Sequence, residues 1–186
     1  IHRQTDRLNG LIEDLLSLSR LENMKQIGRE RTPICDVVES AVEVCQREAQ
    51  EKGASLNVTC PAGLEGYVNG RLLEQALINL IDNAVKYGGS PAQVSVSVET
   101  EDGDLRISVT DNGPGIPPEH HERLFERFYR VDKARSRALG GTGLGLSIVK
   151  HVAAAHGGTV HLESRVGRGS TFIIHLPQAV KSKTEK

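Results

Sequence analysis

The sequence predicts a two-layer α/β sandwich: a mixed, largely antiparallel sheet covered on one face by helices, with one further helix at the N-terminus. Three observations carry this expectation. A leucine stripe repeats at three- and four-residue steps near the start, and two alternating apolar segments flank an acidic four-residue turn near the middle. Hairpin signals also outnumber β-α-β units, which argues against a doubly wound parallel sheet and leaves the second sheet face to solvent.

The N-terminal stripe comprises Leu8, Leu11, Ile12, Leu15, Leu18 and Leu21, with Arg7, Glu13, Asp14, Arg20 and Glu22 largely opposite. A lone helix cannot bury such a stripe, so it calls for a partner helix from elsewhere or from a second copy, or for folding back on its own domain. Gly28 and Pro33 mark the boundary. Asp36 and Glu39 predict a capping box opening a helix to about Lys52, stopped by Gly53. Ser55–Cys60 alternates as a strand. Arg71–Tyr87 is amphipathic, with Leu72, Leu73, Ala76, Leu77, Leu80, Ile81 and Ala84 on its apolar side.

Val94–Thr100 and Leu105–Thr110 form the hairpin around Glu101-Asp102-Gly103-Asp104. A short helix is expected over Glu119–Phe128 after Pro117-Pro118. Arg130–Gly141 lacks any hydrophobic period and predicts a mobile loop, and Leu144–His156 predicts a helix ended by Gly157-Gly158. Thr159–Ser164 and Ser170–Leu176 complete the strands, and the tail is expected to be disordered.

Bulk properties narrow the function. With 186 residues, 25% charged and a formal net charge of −1, the chain has no field that would draw nucleic acid or an anionic membrane. Cys35, Cys45 and Cys60 are odd in number and include no C-x-x-C pair, which predicts free thiols in a reducing cytoplasm. No apolar run reaches the ~20 residues of a membrane span. The chain opens on Ile1 within a helical period, as a piece of a longer chain would, leaving room for a membrane anchor upstream.

Three elements suit different parts of a nucleotide. Asn79 and Asn83 share a helix face one turn apart, with Lys86 three residues on. A carboxamide oxygen is a hard ligand for Mg²⁺, and an ammonium can meet phosphate, although two such Asn equally suit a solvated helix face. Asp111 ends a strand and enters Asn112-Gly113-Pro114-Gly115-Ile116. Its carboxylate can accept from an exocyclic amino group, although the same tripeptide suits a bare turn. Gly141-Thr142-Gly143-Leu144-Gly145-Leu146 opens a helix, so its amides and the helix N-terminus form an anion site. No apolar strand precedes these glycines and no Gly-Lys-Ser/Thr ends them, which excludes Rossmann and Walker A loops. The basic run before them suits a lid over a polyphosphate.

In this order and spacing the motifs resemble the ATP-binding domain of sensor histidine kinases, in the superfamily of gyrase B, Hsp90 and MutL, over about Thr32–Pro177. The N box resembles Asn79 to Tyr87, the first glycine box Asp111 to Ile116, the F box Leu124 to Arg130, and the second glycine box Gly141 to Leu146. Gly169-Ser170-Thr171-Phe172 resembles the final Gly-x-Thr element. The resemblance implies a Bergerat-type ATP fold at residues 29–178, preceded at 1–28 by the second helix of a dimerisation and phosphotransfer hairpin, with a tail at 179–186.

It further implies that Asp111 binds adenine with Thr171 beside it through water, and that Gly113, Gly115 and Ile116 shape the base pocket. Asn83, helped by Asn79, would hold Mg²⁺. Lys86, Tyr87 and Arg130 would line the phosphate and ribose, while Gly141, Thr142, Gly143, Leu144, Gly145 and Leu146 cradle the phosphates. Phe125 and Phe128 would anchor the lid. The implied activity is transfer of the ATP γ-phosphoryl to a histidine, then to a response-regulator Asp. The parent would be a membrane-anchored bacterial homodimer with this domain in the cytoplasm. No His-Glu-Leu-Arg-Thr-Pro type box occurs in the chain, so the acceptor histidine lies outside it. A serine kinase of the anti-sigma type and a degenerate nucleotide-binding or dimerisation module are the alternatives.

Overall fold

A computed structural model describes residues 2–23, 27–132 and 141–178. The predicted tail and most of the predicted lid loop lie outside the described residues. The elements run α1 (His2–Asn23), β1 (Glu30–Pro33), α2 (Ile34–Glu51), β2 (Ser55–Thr59), β3 (Glu65–Val68), α3 (Gly70–Tyr87), β4 (Gln93–Glu101) and β5 (Asp104–Asp111). A 3-10 turn (Pro118–His120), α4 (Gly145–Ala155), β6 (Thr159–Ser164) and β7 (Ser170–Leu176) follow. Five strands form one sheet in the order β2-β4-β5-β7-β6, with β2–β4 parallel and the other pairs antiparallel. The two-layer sandwich is as expected.

Alternation puts Val94, Val96 and Val98 of β4, Leu105, Ile107 and Val109 of β5, and Phe172, Ile174 and Leu176 of β7 into one core with the helices. Helix α3 supplies Leu73, Ala76, Leu77, Leu80, Ile81 and Ala84 at helical spacing. Each fully buried Leu or Ile contributes roughly 1.5–3 kcal/mol. Asn69 caps this helix, its side-chain oxygen accepting from Leu72 N–H at 3.1 Å. The opposite sheet face is polar at its margins, but Ser108 and Ile173, paired at its centre, are buried.

Several local expectations fail for physical reasons. Helix α2 begins at Ile34, not at a capping box on Asp36 and Glu39. Pro33 is its N-cap without a side-chain bond, and buried Ile34 donates its N–H to Leu64 O at 2.9 Å, so an orphan donor is already satisfied. The helix expected over Glu119–Phe128 is reduced to the 3-10 turn and a run of turns, ended by Phe128, which adopts φ +61° and gives its N–H to Gly143 O. The short β1–β3 ribbon, antiparallel with Glu30 opposite Val68, was not anticipated.

Cys35 and Cys60 form a disulfide, contrary to the expectation of three free thiols. The bond between Ile34 and Leu64 lays the start of α2 against the β2–β3 connection, bringing together cysteines 25 residues apart. Only Cys45 is free, and burial pushes its thiol up to about 12. Helix α1 divides its stripe. Leu18 and Leu21 are buried in the domain core, while Leu8, Ile12, Leu15 and Leu16 are exposed. No helix among the described residues is long and apolar enough to cross a membrane.

His156 is the C-cap of α4 and is almost fully buried. Its Nε2 accepts from Asn69 N–H at 2.9 Å, so Nδ1 carries the proton and donates to Val152 O at 2.8 Å. Burial, opposed by the Val152 bond and assisted by nearby Arg29, holds its pKa below 6.5. The neutral ring is thus native, and the unfolded chain takes up the proton first. Stability conferred by this ring is full above pH 6.5 and is lost as pH falls below it. Urea unfolding between about pH 7.5 and about pH 5.5 should show falling stability, with a flatter slope in His156→Gln, itself roughly 1–3 kcal/mol weaker at neutral pH. An unchanged slope would remove His156 as the cause.

Candidate functional site

A cavity of about 430 Å³ lies between α3, the turn after β5, and the Gly-rich segment opening α4. Its position follows from the chain. Helix α3 buries its apolar stripe on the sheet, which leaves Asn79, Asn83, Lys86 and Tyr87 along the cavity wall. The sheet delivers Asp111 to the cavity floor at the last residue of β5.

Asp111 is 9% exposed, and its Oδ1 accepts from Gly113 N–H at 2.7 Å. Burial raises its pKa above the ordinary carboxylate value, against the lowering effect of backbone bonds from Gly113 and Ser170. A buried carboxylate facing a cavity can accept a hydrogen bond from a donor on a bound molecule. The neighbouring Asn112 fixes the frame. Its Oδ1 accepts from Gly89 N–H at 3.0 Å and Gln93 N–H at 2.8 Å, and its Nδ2 donates to Pro91 O.

The turn after Asp111 is tied to the β6–β7 turn. Ile116 N–H donates to Ser164 Oγ at 2.9 Å, and Gly167 N–H to Pro114 O at 2.7 Å. Gly115 has φ +71°, and a Cβ there would stand 2.1 Å from Arg165 O. Gly145 instead faces α3, where a Cβ would stand 2.7 Å from Asn79 Oδ1.

The predicted residues divide. Asp111, Gly115, Ile116, Asn79, Asn83, Lys86, Tyr87, Arg130, Gly141, Thr142, Gly143, Gly145 and Leu146 line the one cavity. Gly113 is buried behind it, and Leu144 is a core residue with no exposure. Thr171 does not line it: strand alternation points Thr171 to the other sheet face, where its Oγ1 meets Thr110 Oγ1 at 3.0 Å. Ser170, one residue earlier, lines the cavity and pairs with Asp111 across β5–β7. Phe125 packs edge-on against Phe172, but Phe128 is 56% exposed and engages the Gly-rich loop through its backbone N–H.

Lys86 is not held out for phosphate. Its Nζ is 2.6 Å from Asp82 Oδ2 and 3.9 Å from Glu48 Oε1. Burial works against its charge, yet Asp82 and then Glu48 outweigh it and hold its pKa above the ordinary value. Asn79 spends its Nδ2 on Gln75 O at 3.0 Å, leaving Oδ1 toward Gly145. Among the described residues no cluster of three His, Cys, Asp or Glu exists to hold a metal. A divalent cation here would draw on Asn83 and take its remaining ligands from phosphate and water, as Mg²⁺ does.

Sequence reasoning missed a whole wall. Gly10, Glu13 and Asp14 of α1 also line the cavity, and Thr142 Oγ1 donates to Asp14 Oδ2 at 2.6 Å. Tyr129 lines it too, under the Arg123 guanidinium at 4.3 Å and with its hydroxyl 2.6 Å from His120 Nδ1.

Residues 68–180 match the family described as histidine kinase-, DNA gyrase B- and HSP90-like ATPase. The chain belongs to that family. More narrowly, it is homologous to sensor histidine kinases and carries the ATP-binding catalytic domain of two-component kinases. It is 43% identical over 181 residues to the sensor-like histidine kinase SenX3 of Mycolicibacterium smegmatis, a match covering 94% of this chain and 46% of that protein. The chain therefore spans about half the length of such relatives. Full-length ShkA in complex with AMPPNP superposes with a TM-score of 0.81 at 31% identity, over 94% of this chain and 36% of that one. Histidine kinase ThkA in complex with response regulator TrrA shares the fold, with a TM-score of 0.77 at 21% identity over 97% of this chain and 50% of that one.

The two glycines separate folding from binding. Gly115→Ala meets backbone on one side and strains φ on the other, so it should lose roughly 2 kcal/mol or more in urea unfolding. Gly145→Ala meets only a movable side-chain tip, so it should unfold within about 1 kcal/mol of wild type while nucleotide affinity drops about tenfold. Equal destabilisation by both would contradict the assignment.

Proposed function

We propose that the cavity binds ATP with Mg²⁺ and delivers the γ-phosphoryl to a histidine imidazole held outside this chain, for relay to a response-regulator aspartate. The observation that carries this is Asp111: a carboxylate buried at a strand end, anchored by backbone and bordering a partly open cavity of nucleotide size. It supplies the acceptor that adenine's amino group needs. Asn83 would hold the cation, with Asn79 set beside the Gly-rich loop. The amides opening α4 would meet the phosphates.

The chemistry is positioning and charge neutralisation, since phosphoryl transfer asks little covalent work of the protein. The residue at position 79 favours transfer over hydrolysis, because a carboxamide cannot take a proton from water. The exposed Leu8, Ile12, Leu15 and Leu16 suit a hairpin partner helix carrying the acceptor, in the same or a second subunit of a membrane-anchored homodimer. The regulator as downstream partner is supported by the ThkA–TrrA complex, a neighbour in fold.

Nucleotide titration tests the site, and a helical hairpin bearing a histidine box, supplied in trans, tests the transfer. Mg²⁺-ATP should yield acid-labile phosphate on the hairpin, with little free phosphate in its absence. Asp111→Ala should weaken ATP analogues by roughly 1–3 kcal/mol and GTP analogues much less. Asn83→Ala should impair Mg²⁺-dependent binding more than metal-free binding. Equal losses for ATP and GTP would remove Asp111 as the adenine reader, and rapid hydrolysis without the hairpin would contradict the role given to Asn79.

A further inference from the structure

The phosphate end of the cavity already holds a carboxylate of the chain's own. Asp14, on the second half of α1, accepts the Thr142 hydroxyl proton at 2.6 Å, and the same Thr142 oxygen accepts from Leu144 N–H at 3.2 Å. A hydroxyl has one proton to donate, so this contact removes Thr142 as a donor to phosphate. Glu13 lines the cavity beside it. Two carboxylates thus border the stretch of backbone where the amides opening α4 favour an anion.

The contact is built into the docking of α1. Leu18 and Leu21, one and two turns further along the helix, are buried in the core. Glu22 pairs with Arg127 and lies 3.3 Å from His151 Nε2 of α4. The helix is therefore pinned at its C-terminal half, and that pinning sets Asp14 over the Gly-rich loop.

We infer that Asp14 is a specificity-determining residue, a resident anion that opposes the polyphosphate and makes docked α1 and bound ATP mutually antagonistic. The inference rests on the ATP reading of the cavity. Opposition grows with the charge brought to the loop, so it acts on ATP more than ADP and spares adenosine. By reciprocity, ATP loosens α1 to the same extent that docked α1 weakens ATP.

The test uses the whole chain. Adenosine, ADP and ATP are titrated with and without Mg²⁺ against wild type and Asp14→Asn, which keeps the shape and the acceptor oxygen. The variant should tighten metal-free ATP roughly tenfold, ADP less and adenosine not at all, with gains shrinking at high salt. Amide exchange in wild-type α1 should accelerate with ATP and stay unchanged with adenosine. Equal gains for all three ligands, weaker Mg²⁺-ATP binding by the variant, or protection of α1 by ATP would each overturn the inference while leaving the ATP site standing. If neither protein binds any adenine ligand, the ATP reading itself fails, and this inference with it.

Discussion

The register between β5 and β7 is the constraint on which the site depends. It sets Asp111 opposite Ser170 at the point where both strands reach the cavity. The approach there is close: a Cβ at Gly169 would stand 2.0 Å from Asp111 O. A shift of one residue would turn the Asp111 carboxylate to the other sheet face and place Thr110 in the cavity. The core forbids that shift, since Leu105, Ile107 and Val109 would leave it together. The site's acceptor is thus held in place by apolar burial elsewhere in the same strand.

From that fixed point the cavity divides into two ends of different stiffness. At the base end, Asn112 satisfies backbone groups of Gly89, Pro91 and Gln93, and Ser164 and Gly167 tie down the following turn. The Asn112 bonds are exposed to water and each contributes about 0.5–1.5 kcal/mol, so the frame rests on their number. Among the described residues the Gly-rich end is joined through Thr142 to α1 and through the Phe128 N–H to Gly143 O. Lys86 is held by its carboxylate neighbours, so the positive field there draws on the backbone amides and on Arg130, which lines the same cavity. On the proposed ATP reading, the end that takes the base is preorganised, while the end that takes the phosphates involves parts that can separate.

Legibility in the sequence followed the same division. Helix α3, the β4–β5 hairpin and the Gly-rich segments were visible, because periodicity and turn chemistry are local. Asp111 and Asn83 were found because their spacing to neighbouring glycines and to Lys86 is itself local. The β1–β3 ribbon was hidden, being four-residue strands whose pairing partners are over 30 residues apart. The Cys35–Cys60 bond was hidden for the same reason, as no spacing rule spans a fold-dependent approach. Ser170 was passed over for Thr171, although the strict alternation of Phe172, Ile174 and Leu176 already assigned even positions of β7 to the inner face. Asp14 carried no signal at all, since only tertiary docking brings α1 to the cavity.

Helix α1 therefore faces two demands. Its C-terminal half is committed to the domain through Leu18 and Leu21, while Leu8, Ile12, Leu15 and Leu16 present apolar surface with no cover among the described residues. Covering those four side chains is worth several kcal/mol by area, comparable to what holds the docked half. A helix moves as a rod, so a partner that tilts the exposed half also shifts Asp14, less than one turn from Leu11 and Ile12. Whatever packs on that face thereby acts on the phosphate end of the cavity without touching it. The hydrogen bond between Thr142 and Asp14 is where the two demands meet, because it is short, polar and replaceable by phosphate, whereas the leucines beneath it are not.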